Sequence, residues 1–191
     1  MRYGPTHKEA ARARILKAAG RGFRSQGFGG IGVDGLAREA GVTSGAFYGH
    51  FTSKADAFRE AAVAGLAELR EAIEMLRAGK GEAWLGEFVD FYLTVRRTCD
   101  DAESCALQSL TPEVARADPD TKAAYEAELV KVVEAVAEGL PKGSPAERRA
   151  TAWSILAVLS GGVTMARSAA DPETSSEVAE ALKDAVRRMI R

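Results

Sequence analysis

The chain has 191 residues, 46% hydrophobic and 28% charged, a composition that supports a packed core and excludes a disordered tail, a disulfide-stapled miniature or a collagen-like repeat. Two cysteines provide no disulfide framework and point to a reducing compartment, the cytoplasm. The net charge of −1 argues at first against a nucleic-acid partner, but it is unevenly distributed: residues 1–60 carry ten basic and five acidic side chains, the remainder sixteen and twenty-two.

The N-terminal Met1-Arg2-Tyr3-Gly4-Pro5 runs into charged residues and lacks the apolar core of a signal peptide. Apolar spacing is helical nearly throughout, and no alternating strand pattern stands out. Ile15, Ala19, Gly22 and Phe23 make one face of a first helix, Thr6 to Gln26, which Gly27, Gly29 and Gly30 interrupt. Val33, Leu36, Ala37 and Ala40 define a short second helix, and Phe47 and Phe51 the core face of a third, Ser44 to His50. A long fourth helix shows Phe58, Ala62, Leu66, Leu69, Ile73 and Leu76. Trp84, Phe88, Phe91 and Val95 line a fifth, and a short sixth runs from Ser104 to Leu110, stopped by Pro112. After Asp118-Pro119-Asp120, a seventh carries Tyr125, Leu129, Val132, Val136 and Leu140. The last two start near Pro145 and Pro172, where proline suits a first helical turn. The uncharged run Ala150 to Ala166 is 17 residues long. It is interrupted by Thr151, Ser154, Ser160, Gly161, Gly162 and Thr164, and a membrane span needs about 20 mostly apolar residues, so it reads as a buried helix. The expectation is an all-α fold of about nine helices.

The most informative stretch is Val33 to Lys54. Two short helices flank Ala40-Gly41-Val42-Thr43, where glycine suits a tight turn, Val42 plugs the space beneath it, and Thr43 or Ser44 caps the next helix. A second helix held in this way can enter a major groove, although such a turn in an all-α protein also serves plain packing. The surrounding residues favour the groove. Gly27-Phe28, followed by Val33-Asp34-Gly35-Leu36-Ala37-Arg38-Glu39-Ala40-Gly41-Val42-Thr43-Ser44-Gly45-Ala46-Phe47-Tyr48-Gly49-His50-Phe51-Thr52-Ser53-Lys54, closely resembles the DNA-binding domain of TetR/AcrR-family transcriptional regulators. The likeness covers Arg12 to Phe58 and centres on Phe-Tyr-x-His-Phe-x-x-Lys.

The resemblance implies a helix-turn-helix DNA-binding domain at 1–53 and a helical ligand-binding and dimerisation domain at 54–191. It implies a bacterial homodimer, not an enzyme, that binds palindromic double-stranded operator DNA as a repressor and is released by a small apolar or electrophilic molecule. Thr43, Ser44, Gly45 and Ala46 match positions at or before the recognition-helix start, where short side chains permit close approach and Ala46 suits a thymine methyl. Tyr48, His50 and Lys54 match phosphate-contacting positions. Arg2, Lys8, Arg12 and Arg14 add salt-sensitive phosphate attraction. Three departures stand out: Gly32 offers no capping hydroxyl, Gly49 replaces a bulkier side chain, and Ser44 stands where lysine or arginine is frequent.

For the ligand pocket implied by the resemblance, the aromatic and aliphatic candidates are Ile73, Trp84, Phe88, Phe91, Tyr92, Leu107 and Tyr125, with core packing as the alternative for each. Tyr92 and Tyr125 are favoured because their polar tips need partners. Cys105, at the expected start of the sixth helix, would feel the helix dipole as an activated thiol, with Cys99 as a possible resolving partner and an inert buried role as the alternative. Neither a metal nor a cofactor is expected, since the two histidines, His7 and His50, both lie in the basic region, and no catalytic constellation of nucleophile, base and orienting acid is spaced along the chain. Trp153, Leu156, Leu159, Gly161, Gly162 and Val163, with Val178, Leu182, Val186 and Met189 of the last helix, are the expected dimer interface. The alternative is that this apolar helix is the centre of the protomer.

Overall fold

The computed structural model describes residues 5–190, and among these every regular element is helical. The elements are α1 (Pro5–Gly30), α2 (Val33–Glu39), α3 (Ser44–Tyr48), α4 (Lys54–Lys80), α5 (Trp84–Thr98), α6 (Ala106–Ser109), α7 (Thr111–Val114), α8 (Pro119–Glu138), α9 (Pro145–Ser168) and α10 (Pro172–Met189). The four-residue helices α6 and α7 meet at Leu110 and together fill the place of one short helix, so the expected nine-helix plan holds. Arg2 lies outside the described residues.

The regular part of α1 stops where the glycines predict. Gly27 takes φ 73°, ψ 167°, and one further turn carries Phe28 back against the rings of Phe23 and Phe58, at centroid distances of 6.2 and 5.1 Å. Ile15, Ala19 and Phe23 of α1 are buried, together with Leu36 and Ala37 of α2 and Phe47 of α3. Between α2 and α3, Gly41 sits at φ 65°, and the Val42 amide donates to the Ala37 carbonyl at 2.9 Å. Thr43 caps α3 by accepting from the Ala46 amide at 3.2 Å. The helix ends at Tyr48, two residues short of the expected His50, because the Gly49 and His50 amides turn back to carbonyls of Gly45, Ala46 and Phe47.

The 27-residue α4 buries Phe58, Ala62, Leu66, Leu69 and Ile73 against α1, α5 and α8. The α8 helix packs in turn on α9, and α9 on α5 and α10. Sequence spacing misplaces the core face of α5. The buried set is Trp84, Leu85, Phe88, Val89, Tyr92 and Leu93, whereas Phe91 and Val95 are 43% and 48% exposed. The core claims the i, i+1, i+4, i+5 stripe, and Trp84 donates its indole N–H to the Gly139 carbonyl at 3.0 Å. The sixth helix ends before Pro112, at Ser109. Pro112 occupies the first turn of α7, where its missing N–H would have had no intrahelical partner.

Candidate nucleic-acid interface and ligand cleft

The turn between α2 and α3 leaves the start of α3 at the surface. Thr43, Gly45 and Ala46 are exposed, and Tyr48 is 55% exposed, its ring set edge-on to the buried Phe47 at 5.9 Å. Ser44 is engaged within the protein, donating to the Asp34 carboxylate of α2. His50 is half-buried, with Nδ1 shielded from solvent and without a protein partner. Lys54 opens α4 after the Ser53 cap, and its ammonium lies 4.4 Å from the centre of the Phe28 ring. Nearby, Thr52 donates its amide (2.9 Å) and hydroxyl (3.0 Å) to Asp56, holding that carboxyl below the usual range. The cations of α1 are not equivalent. Arg12 pairs with Glu60 and stacks 5.1 Å from the Phe51 ring while its side chain stays 41% exposed. Lys8 and Arg14 are exposed.

A cleft of about 960 Å³ lies between α1, α4, α5 and the segment 103–106. Of the candidate ligand residues, Phe88, Phe91, Tyr92 and Cys105 line it. Ile73, Trp84, Leu107 and Tyr125 do not, and each is buried in the packing around it. Tyr125 has satisfied its polar tip elsewhere, 2.7 Å from the Thr111 hydroxyl. Tyr92 has not: its ring is 1% exposed, and among the described residues its hydroxyl has only the weakly accepting Cys105 thiol beside it. Desolvation pushes its ionisation well above the ordinary tyrosine value.

The opposite wall comes from α1 and escapes the sequence reading, which assigned α1 wholly to DNA. Ala13, Leu16, Lys17, Gly20 and Arg24 recur at helical spacing on one side of α1, facing Ala61, Gly65, Glu68 and Ala72 of α4. That paired stripe of small residues was the available signal. Arg24 donates through Nε to the Ala102 carbonyl at 2.9 Å, Arg96 donates to the Glu103 carbonyl, and Arg21 pairs with the Glu103 carboxylate. Burial lowers the pKa of Arg24, with Glu68 opposing the shift. Cys105 precedes a helix of only four residues, too short for an appreciable dipole; Arg24 and Tyr92 shape its surroundings instead.

Comparison with known proteins places this geometry. Residues 15–61 match the family model described as bacterial regulatory proteins, tetR family. The chain carries a tetR-family domain. Its whole fold is shared with proteins of low sequence identity. The reduced form of NemR from E. coli superposes with a TM-score of 0.79 at 20% identity, over 95% of this chain and 97% of that one. A TetR-family regulator from Streptomyces coelicolor gives 0.75 at 20% identity, over 96% and 95%. A TetR regulator from Legionella pneumophila gives 0.74 at 16% identity, over 100% of both. No curated protein sequence matches the chain.

At the far end of the chain from this domain, the expected interface residues divide into two groups. Leu156, Leu159, Val163 and Val186 are at most 2% exposed in the single chain, and Gly162 lies tight against Leu182. These residues join α9 to the core and to α10, which corrects their assignment to a partner-facing surface. Trp153 and Met165 are 39% and 64% exposed, and with Ala157, Gly161 and Thr164 they form an uncharged outer stripe on α9. Met189 is 36% exposed and Val178 half-buried on α10. No helix among the described residues is long and apolar enough to cross a membrane.

Proposed function

We propose that the chain is a homodimeric, DNA-binding transcriptional repressor whose operator affinity falls when a small molecule enters the cleft. The observation that carries this reading is the exposed start of α3, with its short side chains and outward Tyr48, on a tetR-family domain. Thr43, Gly45 and Ala46 are assigned to base edges, with Ser44 joining them if the Asp34 bond opens. Tyr48, His50 and Lys54 are assigned to phosphates. One recognition helix reads a half-site, so a palindromic operator requires two copies, and the uncharged stripe on α9 supports their pairing. Residues 1–53 then form the DNA-reading unit and 54–191 the sensing and pairing unit. Because α4 begins at Lys54 and continues along the cleft, occupancy would shift the spacing of the two recognition helices; a coupling of about 1–3 kcal/mol is typical.

Genomic footprinting with the purified protein tests the reading, and salt-dependent protection of a palindromic site is expected. Tyr48→Ala should weaken binding to every operator sequence by about tenfold, as loss of a charge-assisted phosphate bond does. Unchanged affinity by fluorescence anisotropy at moderate salt would remove Tyr48 from the interface.

A second reading concerns the effector, and the position of Cys105 in the cleft favours it. Its thiolate would add to an activated C=C bond, forming a C–S bond, while the adjacent carbon takes a proton from water. A thiol-reactive enone should then release DNA from the native protein; release persisting in Cys105→Ser would refute the assignment.

A further inference from the structure

The cleft holds more positive charge than it neutralises. Five cations line it, Lys17, Arg21, Arg24, Lys80 and Arg96, against three carboxylates, Glu68, Glu87 and Glu103. Arg21 pairs with Glu103, and Lys80 approaches Glu87 at 3.8 Å. Lys17, Arg24 and Arg96 remain, opposed only by Glu68, which attracts Arg24 without closing an ion pair among the described residues. Arg24 and Arg96 are anchored by backbone carbonyls of Ala102 and Glu103 rather than by carboxylates, so each is held in place with its charge uncompensated. They are close enough to repel one another, and both influence groups around the Tyr92–Cys105 contact. There the Tyr92 hydroxyl is buried, with only the weakly accepting Cys105 thiol beside it among the described residues. Arg24, Arg96 and this hydroxyl line one cleft, and all three are donors suited to an anionic group. The rest of the cleft is apolar, with Leu16, Leu69, Met75, Leu76 and Phe88 on its walls and Phe91 beneath the Arg96 guanidinium at 5.3 Å.

We infer that the cleft takes an amphipathic organic anion, its carboxylate-type head between Arg24, Arg96 and the Tyr92 hydroxyl and its apolar body against Phe88, Phe91, Leu69 and Met75. This inference rests on the ligand-responsive reading above and specifies the class of ligand. A neutral ligand of the same shape leaves the two guanidiniums uncompensated, and a cationic one adds to their repulsion.

Isothermal titration calorimetry on the full chain decides the class, using decanoate, 1-decanol and decyltrimethylammonium below their micelle concentrations. Decanoate should bind about tenfold or more tightly than either of the others, as expected when a charge-assisted bidentate contact is gained. Arg24→Gln should lower decanoate affinity by about tenfold and leave 1-decanol binding unchanged. Arg96→Gln provides the same test should Arg24→Gln melt early, and Tyr92→Phe should weaken decanoate severalfold with the fold intact. Equal or tighter binding of the alcohol or the ammonium compound would overturn the inference. So would an unchanged decanoate affinity in both arginine variants, or no binding of any probe. Release of DNA is measured separately: binding of decanoate without release would count against the effector reading and leave the ligand class standing.

Discussion

The Tyr92 hydroxyl is buried with only the weakly accepting Cys105 thiol beside it among the described residues, and a buried polar group left poorly satisfied costs about 1–3 kcal/mol. Tyr92→Phe should therefore raise the melting temperature of the unliganded protein by several degrees, which differential scanning calorimetry would show; a lower melting temperature would mean that the hydroxyl is satisfied. Tyr125 offers a contrast. Burial pushes its ionisation up to about 12, with the Thr111 bond opposing. Its folded pKa lies above that of the unfolded chain, so its contribution is complete below about pH 10 and is lost as pH rises from there through the folded value. Base-induced unfolding measured from pH 9 to 12 should begin near 10, and Tyr125→Phe should flatten that slope. Of the two tyrosines that the sequence singles out for their polar tips, one lines the cleft and the other is occupied in the core. No pattern in the chain distinguishes them, because the difference lies in whether Thr111, across a turn, comes within reach.

Helix starts account for most of what was legible at the scale of elements. The expected starts at Asp118-Pro119, Pro145 and Pro172 all become capped N-termini, and at the second Ser144 and Glu147 add a reciprocal capping box that the proline signal alone did not reveal. Backbone amides hold the carboxyls of Asp118, Glu147 and Asp171 below their ordinary values, as they do Asp56 at the start of α4. Their folded pKa values are depressed, so their contribution is full above about pH 4 and drains away as pH falls through the lower folded values. The melting temperature should decline below pH 4, and Asp118→Ala should lower it at neutral pH while reducing that acid dependence. Lateral faces were harder to read. On α5, Phe91 and Val95 satisfy helical spacing from Trp84 as well as Leu85 and Val89 do, and the packing of α5 on α4 and α9 selects the second set. On α3, the motif residues Gly45, Ala46 and Tyr48 stand outward as the family resemblance implies, yet the Asp34–Ser44 bond depends on how α2 crosses α3 and leaves no local trace.

In the molecule as a whole, two neighbouring glycines on α9 separate internal packing from pairing. A Cβ at Gly162 would lie 2.0 Å from a Leu182 methyl, whereas one at Gly161 would meet nothing within 4 Å in the single chain. Gly162→Ala should destabilise the protomer, by about 1–3 kcal/mol for overpacking of this kind. Gly161→Ala should stabilise an isolated protomer by up to about 1 kcal/mol through helix propensity. Sedimentation that shows Gly161→Ala or Trp153→Glu shifting the protein toward monomer would locate the interface on the outer stripe of α9; unchanged association in both would move it elsewhere. The near-zero net charge takes on meaning at this scale, because the basic excess is confined to the first 60 residues.

The α1 wall of the cleft bears on how such a protein can be engineered or diverge. Exchanging residues 1–53 for those of a relative is the obvious way to graft a new operator preference onto an existing sensor. Here the graft would carry away Leu16, Lys17, Arg21 and Arg24, one wall of the cleft. A chimera joined at that boundary should thus respond to altered molecules as well as read altered DNA, unless these four side chains are restored on the incoming helix. On the proposed function, input and output would then not be separable modules, and drift in one would constrain the other through a single shared helix.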